Sequence, residues 1–165
     1  MSLSKMKKYL GVFGLLFMFC SCSKDEEKFR VVGFHDRTNF EKFKELKLDD
    51  SYVNLLNPKF SKKEEFKDVL KSWGDFHNKV NEVLVANDFS WEIPDSSITV
   101  VNRIYFNKDG GVNYFLVNVR NDNVSGEVKN KYITLLNTHL DELSIELKRE
   151  DKFAQCGKVK YKNYE

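Results

Sequence analysis

From Phe66 onward, apolar residues return every third or fourth position: Phe66, Val69, Leu70, Trp73, Phe76, Val80, Val83 and Leu84. That spacing gathers them on one stripe of a helix and leaves Lys, Glu and Asp on the other sides. Ser61-Lys62-Lys63-Glu64 stands just before the stripe and matches a capping box, in which the Ser oxygen and the Glu carboxylate satisfy free backbone N–H groups. Gly74 lies inside this helix, at a cost of about 1 kcal/mol relative to Ala, and suggests close packing of another element. Asn87-Asp88 supplies the stop. A second stripe, Val128, Tyr132, Leu135, Leu136, His139, Leu140, Leu143 and Leu147, predicts another long helix. Between the two, residues 98–106 and 112–119 are rich in β-branched and aromatic side chains. Asn107-Lys108-Asp109-Gly110-Gly111 joins them, and Asp-Gly readily takes the positive φ of a tight hairpin.

The remaining pieces are shorter. Residues 29–34 read as a strand. Thr38-Asn39-Phe40-Glu41 is a second capping-box match, and Phe40, Phe43 and Leu46 extend it into a short amphipathic helix to about Leu48. Residues 49–60 are irregular, 89–93 suit a brief extended segment, and 120–126 form a polar loop. Lys158-Val159-Lys160-Tyr161-Lys162 alternates strictly and predicts a last strand, with lysines that suit a sheet edge guarded against edge-to-edge pairing. The predicted order is β-α-α-β-β-α-β, without an internal repeat. Two long one-sided helices need a sheet to cover, so the expected fold is α+β, a two-layer sandwich of a mostly antiparallel sheet with two long helices.

Composition agrees with a folded chain. Of 165 residues, 41% are hydrophobic, and 14 Phe, 7 Tyr and 2 Trp supply bulky core material. The first residues change the picture of where the chain goes. Lys5, Lys7 and Lys8 precede eleven uninterrupted apolar or glycine residues, 9–19. A span needs about 20 apolar residues, so this run is a secretory signal rather than a transmembrane helix. Removing residues 1–21 lowers Lys+Arg from 27 to 24 against 25 acids, turning a net charge of +2 into −1. A general electrostatic attraction to nucleic acid is therefore not expected. The expected organisation is a signal peptide at 1–21, a tether at 22–28 and one domain at 29–165.

Phe19-Cys20-Ser21-Cys22-Ser23 resembles a bacterial lipobox, with Ser21 as the small residue before the acylated cysteine. The resemblance implies a diacylglycerol on Cys22, palmitate-type acylation and attachment to a membrane through the lipid. Ser23-Lys24-Asp25-Glu26-Glu27 is similar to the lipoprotein export signal of Bacteroidota. Lys24, Asp25, Glu26 and Glu27 then imply display at the cell surface, on the outer membrane. Further along, residues 98–161, with Ile104-Tyr105-Phe106-Asn107-Lys108-Asp109-Gly110-Gly111-Val112 at their centre, resemble the strand–strand–helix–strand order of the TonB C-terminal domain. That resemblance implies shared architecture and a docking subunit of the envelope; fold alone does not carry energy transduction.

No motif names a reaction. Cys156 is the one cysteine left after cleavage at Cys22, and nothing around it in sequence is a cysteine-hydrolase signature or a cluster of positive charge. It is expected to be a packed structural thiol. His35, His77 and His139 lie too far apart in sequence for a local metal site, and no cofactor motif is present. His77 and His139 fall on or beside apolar stripes, as core or boundary residues. His35-Asp36-Arg37, in a strand-to-helix turn, suits an anion or a substrate. Asp49-Asp50 and Asp141-Glu142 are adjacent acids that point apart rather than pair for acid–base work. Tyr105 and Tyr114 flank the hairpin and offer a contact patch. The expected function is a lipid-anchored, non-enzymatic binding or accessory module for a glycan or an envelope protein. The alternatives are a small thiol or hydrolytic enzyme using Cys156 or the His35-Asp36-Arg37 turn, and the TonB-like docking subunit.

Overall fold

Alternation along the hairpin decides which way the sheet faces. In the computed structural model, which describes residues 30–163, Ile98, Val100, Asn102, Ile104 and Phe106 of one strand have no exposed surface. Thr99, Val101 and Arg103 between them are half-buried. That strand, β3 (Ser97–Phe106), is central. Around it lie β1 (Val31–Gly33), β2 (Val53–Asn54), β4 (Val112–Val119) and β5 (Phe153–Lys162). The order across the sheet is β1-β4-β3-β5-β2. β3 is antiparallel to β4 and β5, while the short rim strands β1 and β2 run parallel to β4 and β5. The helices are α1 (Arg37–Glu45), α2 (Phe66–Ala86) and α3 (Gly126–Thr138). The fold is α+β.

The first face of the sheet packs under α2 and α3. Val69, Phe76, Val80 and Leu84 of α2 and Val128, Tyr132 and Leu136 of α3 join the inward residues of all three long strands in one cluster. The expected two-layer sandwich is incomplete, because α1 lies on the other face. Phe43 of α1 packs there with Val32, Tyr52, Tyr105 and Ala154. The short β2 was also absent from the expected order. It has only two residues, and its place is set by pairing Val53 and Asn54 with Phe153 and Ala154, about a hundred positions away.

Several local expectations are corrected. The Thr38 box does not cap α1. Asp36 stands one position before the helix, and its Oδ1 accepts from the Asn39 N–H at 3.1 Å. The Ser61 box does not cap α2, which starts only at Phe66; the Ser61 hydroxyl donates to the Leu55 carbonyl instead. Leu70 is 49% exposed, off the buried stripe. Nothing lies within 4 Å of a Cβ at Gly74; the close approach is at Gly157, where a Cβ would sit 3.0 Å from the Trp73 ring. The second long helix ends at Thr138 rather than reaching Leu147. Leu140, Leu143 and Ile145 stay buried, but their backbone meets the hairpin turn: the Ile145 N–H donates to the Gly110 carbonyl at 3.0 Å. Gly110 has φ +90°, and a Cβ there would lie 2.1 Å from the Ile145 carbonyl oxygen, so only glycine lets this segment close. No strand forms over 89–93, although Trp91 is fully buried there. The last strand is longer than expected and begins at Phe153.

Candidate functional site

β1 and β4 are parallel neighbours, so both end at the same edge of the sheet. Beyond those ends the chain takes opposite directions, from β1 to α1 on the second face and from β4 to α3 on the first. Where two adjacent parallel strands send their connections to opposite faces, a crevice opens outside their carboxyl ends. Here it is a cleft of about 370 Å³ lined by Phe34, His35, Arg37, Asn118, Val119, Arg120, Asp122 and Lys129. Local chemistry places each side chain. The Phe34 N–H donates to the Val117 carbonyl at 2.7 Å, extending the β1 pairing to the lip of the cleft. Arg37 is the first residue of α1, with its guanidinium 5.0 Å from the centre of the Phe34 ring. Lys129 lies in the first turn of α3, whose Ser125 cap accepts from the Val128 N–H at 3.2 Å.

His35 is held from two sides. Its Nε2 donates to Asn130 Oδ1 of α3 at 2.8 Å. Its ring lies over Gly33, where a Cβ would come within 2.5 Å of Cε1 and 2.7 Å of Nδ1. Any side chain at 33 would displace the ring. Asp36, next to it, serves the helix rather than the cleft; the Asn39 backbone N–H holds its carboxyl below the usual range. The cleft has a net excess of cations. Of the five arginines, Arg30, Arg103 and Arg149 are in ion pairs with Asp141, Asp49 and Glu65. Among the described residues, Arg37, Arg120 and Lys129 are in none.

The other singled-out residues lie elsewhere. Tyr105 and Tyr114 are cross-strand partners, but they pack beneath α1 instead of forming an exposed patch. Tyr105 is 2% exposed and donates its hydroxyl to Asp49 Oδ1 at 2.9 Å. Burial, then the Asp49 carboxylate, pushes its phenol up, so it stays a donor. Asp49 also accepts from Arg103, which stands opposite Cys156 across the β3–β5 ladder. Cys156 is half-buried on the second face, beside a cation that its neighbours in sequence did not reveal. His77 is buried under the first face, Nδ1 2.5 Å from the Tyr161 hydroxyl, and burial lowers its pKa to about 3. His139 caps the end of α3 and pairs with Glu142 at 3.2 Å. These placements bring no histidine and Cys156 into one cleft.

Strand pairing on the outer side of β5 ends at Ala154, the Cys156 N–H donates to Asn54 Oδ1 at 3.2 Å, and beyond it Lys158, Lys160 and Lys162 are exposed. Such a charged rim opposes strand addition. Among the described residues, no group of His, Cys, Asp and Glu could hold a metal ion, and no helix is long and apolar enough to cross a membrane. Cys22, Lys24, Asp25, Glu26 and Glu27 lie outside the described residues. Sequence reasoning found His35 and Arg37 but missed Arg120, Lys129 and the supporting pair Gly33 and Asn130. No local signal joins them; only the β1–β4 register does. No family model, curated protein or solved structure matches the chain.

Proposed function

We propose that the chain is a lipid-anchored outer-membrane protein that acts as a binding module rather than an enzyme, through the cleft at the carboxyl ends of β1 and β4. The observation that carries this reading is the set of cations gathered there, Arg37, Arg120 and Lys129, which form no ion pair among the described residues, around a His35 ring fixed by Gly33 and Asn130. Cations in excess of the cleft's one carboxylate, Asp122, suit an anionic ligand. The lipobox and the Lys24-Asp25-Glu26-Glu27 run supply the anchor and the surface placement. Cys22 stands eight residues before Arg30, a reach of roughly 28 Å at full extension. β1 runs from that entry point to the cleft, which lies beyond its carboxyl end.

Mass spectrometry of the membrane-bound protein tests the anchor: the mature N-terminus should be an acylated Cys22. A chain that still carries Met1 would overturn it. Replacing Lys24, Asp25, Glu26 and Glu27 with alanine should keep the acylation and abolish protease access on whole cells. Unchanged access would remove the surface placement.

A further inference from the structure

We propose that the cleft binds a phosphate or sulfate ester, with Arg37, Arg120 and Lys129 holding the charged oxygens. This deepens the binding-module reading and rests on it. Three features of the cleft select this chemistry. The cations come from three different elements: α1, the end of β4 and the first turn of α3. A planar carboxylate is satisfied by the fork of a single arginine, whereas a tetrahedral oxyanion presents several oxygens and takes donors from several directions. The charges also outnumber the one carboxylate of the cleft, Asp122. Among the described residues, every arginine outside the cleft is in an ion pair, and the two inside it are not. A phosphate monoester, with close to two negative charges, restores the balance that the fold leaves open, and a sulfate ester, with one, restores part of it. The third feature is the polar rim. Asn118 and Asp122 offer an amide and a carboxylate beside the cations, acceptors for hydroxyl groups carried by the organic part of an ester.

Gly33 and Asn130 have a defined part in this site. They are positioning residues for His35, which forms the wall between Arg37 and α3. The ring cannot swing toward Gly33 without meeting its backbone, and the hydrogen bond to Asn130 fixes its plane.

Isothermal titration calorimetry on the full chain in detergent micelles tests the proposal, with glucose 6-phosphate, glucose 6-sulfate, inorganic phosphate and glucose as probes. Both esters should bind, more weakly as salt is raised, and glucose should give no heat. Arg37→Gln and Arg120→Gln should each weaken ester binding about tenfold or more, as expected for loss of a charge-assisted hydrogen bond. Lys67→Gln, on the exposed side of α2, should leave it unchanged. Inorganic phosphate binding as tightly as the esters would identify the free anion as the source, with the same oxyanion chemistry. No heat from any oxyanion, or cleft variants that bind as tightly as the unaltered chain, would overturn the proposal. The anchor is read separately, from the mass of the mature N-terminus, so failure of one does not imply failure of the other.

Discussion

The two faces of the sheet are built to different standards. Under α2 and α3, Phe76 meets Phe106 and Phe115 with ring centres 5.6 and 5.8 Å apart, all three without exposed surface. On the opposite face, α1 has nine residues and covers only the end carrying Tyr105 and Tyr114. The rest of that face holds Arg103 and Cys156 half-buried and Lys158 exposed. Yet the closed face is the less completely satisfied in its polar groups. His77 Nε2, Asn102 Oδ1, Gln155 Oε1 and Trp91 Nε1 are buried there without a hydrogen-bond partner among the described residues. On the open face, Asp49, Arg103 and Tyr105 are mutually paired. Burial by long helices gives stability through area and tolerates a few unpaired polar atoms. A thinly covered face relies on specific pairs instead.

The sharpest way to break this contrast is Phe76→Ala, which removes a ring from the centre of the closed face. It should cost about 4 kcal/mol in denaturant unfolding, and a cost near that of an ordinary surface change would show that the closed face is not the stabilising one. Acid probes the same face next. His77 is held neutral in the folded chain, with a pKa of about 3, against an ordinary value of 6.5. The unfolded chain therefore takes up the proton first. Stability is fully present above about pH 6.5 and falls as pH drops toward 3, by about 3 kcal/mol at pH 4. His77→Phe should flatten that part of the pH–stability curve, and an unchanged slope would show that other groups set it. The smallest effect belongs to the open face. Tyr105→Phe leaves Asp49 its Arg103 partner and should cost about 1 kcal/mol. A loss as large as that of Phe76→Ala would erase the distinction between the faces.

What was legible in the sequence follows the same division. The hairpin and α2 could be read because each carries its own period over eight or more residues, and period reflects which face is buried. The end of α3 could not. Leu140, Leu143 and Leu147 keep the helical spacing, but the backbone there is claimed by the Gly110 turn, a tertiary contact that overrides the local pattern. β2 was invisible because two residues have no period. The cleft was half legible: His35 and Arg37 stand together in a turn, while Arg120 and Lys129 join them only through the pairing of Val31 with Phe115 and Gly33 with Val117. Cys156 illustrates the same limit. Its neighbours in sequence offset one another in charge, and the cation that matters stands across the ladder on β3.

The parallel pairing of β1 with β4 also has a mechanical side. Any pull on the chain ahead of Arg30 enters the fold at β1, a rim strand of three residues. It is fastened by the Phe115 N–H to the Arg30 carbonyl, the Phe34 N–H to the Val117 carbonyl, and the Arg30 guanidinium to Asp141 and the Val112 carbonyl. Tension along the strand loads these fastenings together, in shear, rather than opening them one after another as a zipper. The chain leaving its far end carries His35 and Arg37. Slippage of β1 by even one residue would withdraw that wall of the cleft and would turn Val31 out of the closed face as well, so the grip on a ligand and the packing of that rim depend on the same register.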